Sequence, residues 1–266
     1  MKTILVVGAG SIGLRHMRNL SALGCKVLGV DTNPDAYEKI QTTQAHSVYE
    51  HELLGGYYQI DGVVIATPAE THLDMIRTYR AWPLLVEKPI GLDSQLDDLA
   101  EFIDDRIMVG YMLRFHAIAQ QIYKQGRFLL YCNRSHWPST GARHGDLLIE
   151  CSHEIDIALR VGACHSSLDL PRSWVSHTSA WIQLGPFTVF LSDSPQNIPE
   201  FRNWETQDSC GDSQIWPRMT ALEIDTLYVK EAQHFLQFID GGQIEPACTV
   251  AQALNVLRVI RQLRSH

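Results

Sequence analysis

Apolar residues run along the first 110 positions in short uninterrupted blocks, separated by longer stretches in which they recur at helical spacing. The blocks are Thr3 to Val7, Lys26 to Asp31, Gly62 to Ala66, Leu84 to Glu87 and Ile107 to Val109. A block apolar at consecutive positions has no solvent face, which fits strands of a parallel sheet covered on both sides. Between them, Ile12 to Leu23, Pro34 to Thr42, Ala69 to Trp82 and Ser94 to Asp104 carry the helical pattern, and Asp93 stands where a cap belongs. The alternation predicts an α/β, doubly wound domain over residues 1–110.

The pattern changes over residues 111–266. Strand-like runs at Phe128 to Cys132, Trp174 to Leu184 and Phe187 to Ser192 are interrupted by one helical segment, Asp146 to Val161. This predicts a second, α+β domain with an open, mostly antiparallel sheet. Residues 196–220 have weak periodicity and read as a long hairpin or a loop. From about Leu227 to Leu263 the chain is helical again, broken at Gly241-Gly242 and Pro246, and this C-terminal helix is placed either in the second domain or back on the first.

Composition narrows the function. Thirty acidic against 22 basic residues give a net charge of −8, with no basic block, so the electrostatic attraction that nucleic acid or an anionic membrane requires is absent. The six cysteines are scattered without a C-x-x-C pair, and no run of about 18 apolar residues occurs. The opening MKTILVVGAGSIG lacks the pattern of a signal peptide. A cytoplasmic protein acting on a small polar molecule is expected, with no nucleic acid and no membrane as partner.

Gly8, Gly10 and Gly13 form G-x-G-x-x-G directly after the first strand and at the start of a helix, with Ser11 and Ile12 between them. Such glycines allow a tight turn and a close approach of backbone to a pyrophosphate, which sits on the positive helix N-terminus. Asp31 follows 18 residues after Gly13, at the end of the second strand, where a carboxylate bonds ribose hydroxyls. The first domain therefore reads as a Rossmann dinucleotide-binding domain. Asp31 would repel a 2′-phosphate, and Thr32, Asn33 and Pro34 supply no arginine, which favours NAD over NADP; Arg15 is the nearby cation that could alter this preference.

The fourth strand ends in LLVEKPIG, residues 84–91. Ligands of doubly wound sheets bind at the carboxyl ends of the strands, so Glu87 and Lys88 are candidates for the crevice. A partly desolvated lysine there can hydrogen-bond a substrate hydroxyl or ketone and stabilise the charge that develops on its oxygen. The combination of GAGSIGLRHMRNL, IATPAETH, VEKPIG and VGYMLRFH resembles the Gfo/Idh/MocA oxidoreductases, which include glucose-fructose oxidoreductase and inositol dehydrogenase. The resemblance implies that Lys88 is catalytic and cofactor-binding, and that the following Pro89 is often cis. It also implies that Thr67, Pro68 and His72 line the nicotinamide side and that Glu87 contacts the cofactor ribose. Arg114 could reach substrate or cofactor, or make a domain-linking salt bridge.

Removal of a hydride from an alcohol needs a base for the hydroxyl proton, and a histidine suits that role. His153, in GDLLIECSHEIDIALRVG, is the candidate, with Glu150 and Asp156 three residues to either side. The resembling family often has an aspartate four residues before this histidine; here that position is Ile149, and an acid appears one residue later as Glu150. Glu150 is thus a candidate for catalysis and substrate binding, and His144 for substrate binding. No metal site is expected, because the spacing of His144, Glu150 and His153 matches no usual zinc pattern.

The expected function is hydride transfer between NAD(P) and a hydroxyl or keto group of a sugar, cyclitol or sugar-derived acid, with Lys88 and His153 converging on one pocket. Two alternatives remain open: a non-catalytic dinucleotide-binding sensor of the same fold, and glycosidase-type chemistry with transient oxidation. A homodimer is expected, since a sheet carrying Trp174, Trp181, Phe187 and Phe190 needs cover on its outer face.

Overall fold

A computed structural model describes residues 1–49, 52–53, 56–103, 105–124, 128–136, 147–150, 152–160, 173–175, 179–184, 187–193, 201–207, 210–216 and 221–265. The chain divides into two compact units, one formed by Met1–Met112 with Thr226–Leu254 and the other by Leu113–Asp225 with Asn255–His266.

The first unit is built on a six-stranded parallel sheet of β1 (Thr3–Val7), β2 (Lys26–Val30), β3 (His46–Ser47), β4 (Gly62–Ile65), β5 (Leu84–Glu87) and β6 (Ile107–Gly110), in the order β3-β2-β1-β4-β5-β6. Its centre is dry: Ile4, Leu5, Val6, Val63, Val64, Ile65, Leu84, Leu85 and Val86 are fully buried, as expected of consecutive apolar positions covered on both faces. The helices are α1 (Ser11–Ala22), α2 (Ala36–Gln41), α3 (His72–Tyr79) and α4 (Leu96–Leu99).

Two differences from the sequence reading have local causes. β3 is two residues long, too short for any periodicity, and exists only through its pairing with Leu28 and Gly29. The helix expected over Ser94 to Asp104 is instead α4 flanked by single 3-10 turns at Asp93–Gln95 and Ala100–Phe102. Its buried residues Leu96, Leu99 and Phe102 recur every three positions, the period of a 3-10 helix.

The second unit contains α5 (Ala117–Lys124), β7 (Phe128–His136), α6 (Leu147–Glu150), α7 (Ser152–Arg160), β8 (Trp174–Val175), β9 (Ser179–Leu184), β10 (Phe187–Asp193), β11 (Phe201–Gln207) and β12 (Ser213–Trp216). Its sheet runs β12-β11-β7-β10-β9-β8 and is antiparallel except for β7 beside β10. The segment read as hairpin or loop supplies the antiparallel pair β11 and β12, with Trp204 opposite Trp216. The run Trp174 to Leu184 is two strands, not one, paired Trp174 to Trp181 and Val175 to Ala180.

Two helices close the chain, α8 (Ala221–Ile239) and α9 (Val250–Arg264). Within the first unit, the end of α8 lies near β4, where a side chain at Gly62 would collide with Ile239 and crowd Phe235. Arg106 donates to the carbonyls of Phe238 and Ile239 at 3.0 and 3.1 Å, satisfying acceptors that the helix end leaves open. Gly241 stops the helix at φ +87°, a conformation costly for other residues. No helix among the described residues is long and apolar enough to cross a membrane.

Candidate active site

The order of the first sheet reverses between β1 and β4, so the segments that leave their carboxyl ends diverge and open a crevice. Two of the three glycines there are required by packing. A Cβ on Gly13 would stand 1.9 Å from the Gly8 carbonyl oxygen, and one on Gly8, at φ +95°, would stand 2.7 Å from that of Ala66. Gly10 is different: a Cβ there would meet nothing within 4 Å. The fold itself does not need this glycine, and the space above it suits a ligand that approaches the backbone.

The start of α1 is prepared for an anion. Gly10 provides no side-chain cap, and the first turn contains no acidic residue, so no carboxylate of that turn offsets the positive end of the helix dipole. Gly10 and Ser11 are exposed, and Ile12 is half-buried. Asp31 Oδ2 accepts from the Ala9 N–H at 2.6 Å and Oδ1 from the Asn33 N–H at 2.8 Å, fixing the carboxylate beside the turn while leaving it half-exposed. Arg15, the cation that could have served a 2′-phosphate, lies over the Tyr228 ring, 4.8 Å from its centre. This geometry fits a dinucleotide, and the carboxylate favours an unphosphorylated ribose.

The facing wall comes from β4 and β5. Thr67 is half-buried and Pro68 exposed; the Thr67 and Thr71 hydroxyls are 2.8 Å apart, and Thr71 Oγ1 lies 2.7 Å from the Pro68 carbonyl. Lys88 is half-buried at the end of β5, and its bond to Pro89 is cis. Two residues expected to touch the cofactor are turned inward. Glu87 is 8% exposed, with Oε1 2.7 Å from His16 Nε2 and Oε2 3.3 Å from the Lys88 N–H. His72 is 1% exposed; Nδ1 is 2.9 Å from the Pro89 carbonyl and Nε2 2.8 Å from that of Thr67. Burial lowers its pKa, and the two carbonyl acceptors, which together call for an N–H on each ring nitrogen, oppose that shift.

The same wall rests on a polar cluster that the sequence reading missed. His16, Glu87 and Glu231 are buried with donor atoms all within 4.8 Å of one another, and the Tyr228 ring meets the edge of His16 at 5.8 Å between centroids. Neither carboxyl oxygen of Glu231 has a hydrogen-bond partner. Burial, followed by the nearby Glu87 charge, raises the Glu231 pKa well above the ordinary carboxylate range, so it is held as the neutral acid. Burial likewise raises the Tyr228 pKa, reinforced by both glutamates. By residue type the three could ligate a cation, but the direct bond between His16 and Glu87 and a neutral Glu231 describe a proton-bearing network better. The available signal was an acid on the buried stripe of α8, where Leu227, Glu231 and Phe235 recur every fourth residue.

In the second unit, α7 is buried on nearly every side, including His153, Glu154 and Asp156. Asp156 receives Arg114 in a two-pronged ion pair, Nε to Oδ2 at 2.8 Å and Nη2 to Oδ1, with both side chains almost fully buried. Arg114 and Asp156 both belong to the second unit, so this salt bridge lies within that unit. His153 is 4% exposed and Ile149 is buried. The Glu150 side chain and all of His144 lie outside the described residues.

Residues 2–110 match the family described as Oxidoreductase family, NAD-binding Rossmann fold. Over that stretch the chain is similar to the Gfo/Idh/MocA oxidoreductases. Two curated relatives of that half come from Rhizobium meliloti. The rhizopine catabolism protein MocA is 29% identical over 119 residues, 41% of this chain and 37% of that one. Inositol 2-dehydrogenase of strain 1021 is 33% identical over 118 residues, 41% of this chain and 36% of that one. The match therefore spans little more than a third of either relative. A scyllo-inositol dehydrogenase from Lactobacillus casei, solved with NAD(H) and scyllo-inositol, superposes with a TM-score of 0.75 at 16% identity, covering 100% of this chain and 96% of that one. At that identity the likeness shows the fold alone.

Proposed function

We propose that the protein is an NAD-dependent dehydrogenase or reductase acting on a hydroxyl or keto group of a sugar, cyclitol or sugar-derived acid. The observation that carries this reading is the start of α1, which has no side-chain cap and has space at Gly10, on the same sheet as β5, the strand that Lys88 directly follows. The family match over residues 2–110 and the likeness to inositol 2-dehydrogenase support it.

NAD, when bound, supplies the hydride acceptor or donor. Gly8, Gly10, Ser11, Ile12 and Gly13 hold its pyrophosphate, Asp31 its ribose, and Thr67 and Pro68 flank the nicotinamide. Lys88 hydrogen-bonds the reacting oxygen and stabilises its negative charge as the C–H bond breaks. His153 takes the hydroxyl proton, or returns it in the reverse direction, with Glu150 and His144 contributing to substrate binding. In this reading Ile149 removes the substrate contact that the resembling family often makes with an aspartate. The subunits associate as a dimer through the second sheet, where Trp174, Trp181 and Phe190 occupy opposed positions on β8, β9 and β10; a monomer in sedimentation would exclude this association.

The test is to mix the purified chain with NAD and a panel of cyclitols, aldoses, acidic sugars and nucleotide sugars and follow the absorbance of reduced NAD. Turnover of one class supports the reading. Tight NAD binding without turnover across the panel favours a sensor, and release of a glycosidic leaving group without net NAD reduction favours transient oxidation.

A further inference from the structure

Lys88 lies between two residues that are each gripped by a different buried histidine. His16 Nε2 lies 2.7 Å from Glu87 Oε1, on the residue before the lysine. His72 Nδ1 lies 2.9 Å from the Pro89 carbonyl oxygen, on the residue after it. The histidines are 0% and 1% exposed, so neither bond competes with water. We propose that His16 and His72 are positioning residues that fix the Lys88 turn from its two ends and tie it to the two turns that receive the dinucleotide.

The ladder between β5 and β6 ends at Glu87 opposite Gly110, so Lys88 and Pro89 follow directly after it, and proline has no N–H with which to extend a ladder. His16 belongs to α1, three residues after Gly13, so its bond to Glu87 connects the lysine turn to the glycine turn. His72 opens α3, and its other nitrogen lies 2.8 Å from the Thr67 carbonyl, which connects the lysine turn to the turn after β4. A lysine ammonium at the end of a four-carbon stem magnifies small changes in its own backbone, and a misplacement of about 1 Å at a reacting centre can cost on the order of a hundredfold in rate.

This inference rests on the reading that Lys88 works beside NAD, and the experiment separates the two. Asparagine places its amide nitrogen near the position of a histidine Nδ1, and glutamine near Nε2. His72→Asn and His16→Gln therefore keep the bonds to Pro89 and Glu87, whereas His72→Gln and His16→Asn lose them. In the full-length protein, trace acetylation of Lys88 is measured by mass spectrometry with and without NAD, using Lys39 on α2 as internal reference, and NAD affinity is measured by calorimetry.

NAD should slow acetylation of Lys88 in the wild-type protein. His72→Asn and His16→Gln should protect it within about twofold of wild type, while His72→Gln and His16→Asn should lose about five- to tenfold of that protection, the effect of one buried hydrogen bond. Wild-type protection in folded His72→Gln and His16→Asn, or equal loss in all four variants, overturns the inference and leaves the role of Lys88 standing. No NAD effect on Lys88 in the wild-type protein removes the cofactor-side reading of Lys88 and the inference with it. Should the variants not fold, deuterium exchange of the wild-type segment 84–90 decides: slow exchange with and without NAD supports a preset turn, and fast exchange without NAD overturns it.

Discussion

The carboxyl group of Glu231 on α8 and that of Glu87 on β5 lie with their oxygens within 4.8 Å of each other in the interior of the first unit, beside the His16 ring. Two adjacent carboxyls that share a dry site do not both ionise, and Glu231, the more deeply buried, keeps its proton. Its pKa in the folded protein lies above that in the unfolded chain. The stabilisation it contributes is therefore complete below about pH 4.5 and is lost as pH rises through the folded value. Glu231→Gln cannot ionise and escapes this loss. Melting curves from pH 5 to 9 should show the variant gaining on the wild type as pH rises, by about 2–4 °C for each kcal/mol. A gap that does not change with pH would show that Glu231 is not held neutral.

The three glycines of the first turn separate by role. Gly13→Ala forces a Cβ against the Gly8 carbonyl and should cost about 1–3 kcal/mol in denaturant unfolding. Gly10→Ala meets open space and should unfold like the wild type, yet weaken NAD binding by about tenfold or more, because the methyl group occupies ligand space. Calorimetry beside unfolding distinguishes them; equal effects of the two substitutions on both measurements would contradict the assignment.

Arg114 and Asp156 are nearly inaccessible to solvent, so removing one partner strands a buried charge. Arg114→Ala and Asp156→Ala should each destabilise by about 3–5 kcal/mol, and a double replacement by Met and Leu should recover most of that loss. Urea unfolding of the four proteins checks this. Loss of substrate affinity in Arg114→Ala without loss of stability would restore a substrate role to the arginine.

On the substrate that the panel identifies, Lys88→Met should lower kcat by about two to three orders of magnitude, the effect of losing a donor aimed at a developing oxyanion. His153→Asn should lower it by about two to four orders, remove the acidic limb of the pH profile and leave NAD affinity within a few-fold of wild type. An unchanged pH profile in His153→Asn would assign the proton to another group.

Much of this site was legible because it rests on short-range chemistry. Gly8, Gly10 and Gly13 act within a single turn, Asp31 within hydrogen-bond reach of that turn, and Lys88 through its place at a strand end.

By itself, then, the sequence determined the alternation of strand and helix, the dinucleotide cradle and the lysine beside it, because hydrophobic period and turn chemistry act over a few residues. Only the tertiary structure decided which distant side chains meet: His16 with Glu87 across 71 residues, His72 with Pro89 across 17, Arg114 with Asp156 across 42, and Glu231 brought from the last third of the chain to the end of β5. Such encounters depend on how packed layers bring separate elements together. A buried acid or histidine looks the same in a linear pattern until the fold shows what lies opposite it.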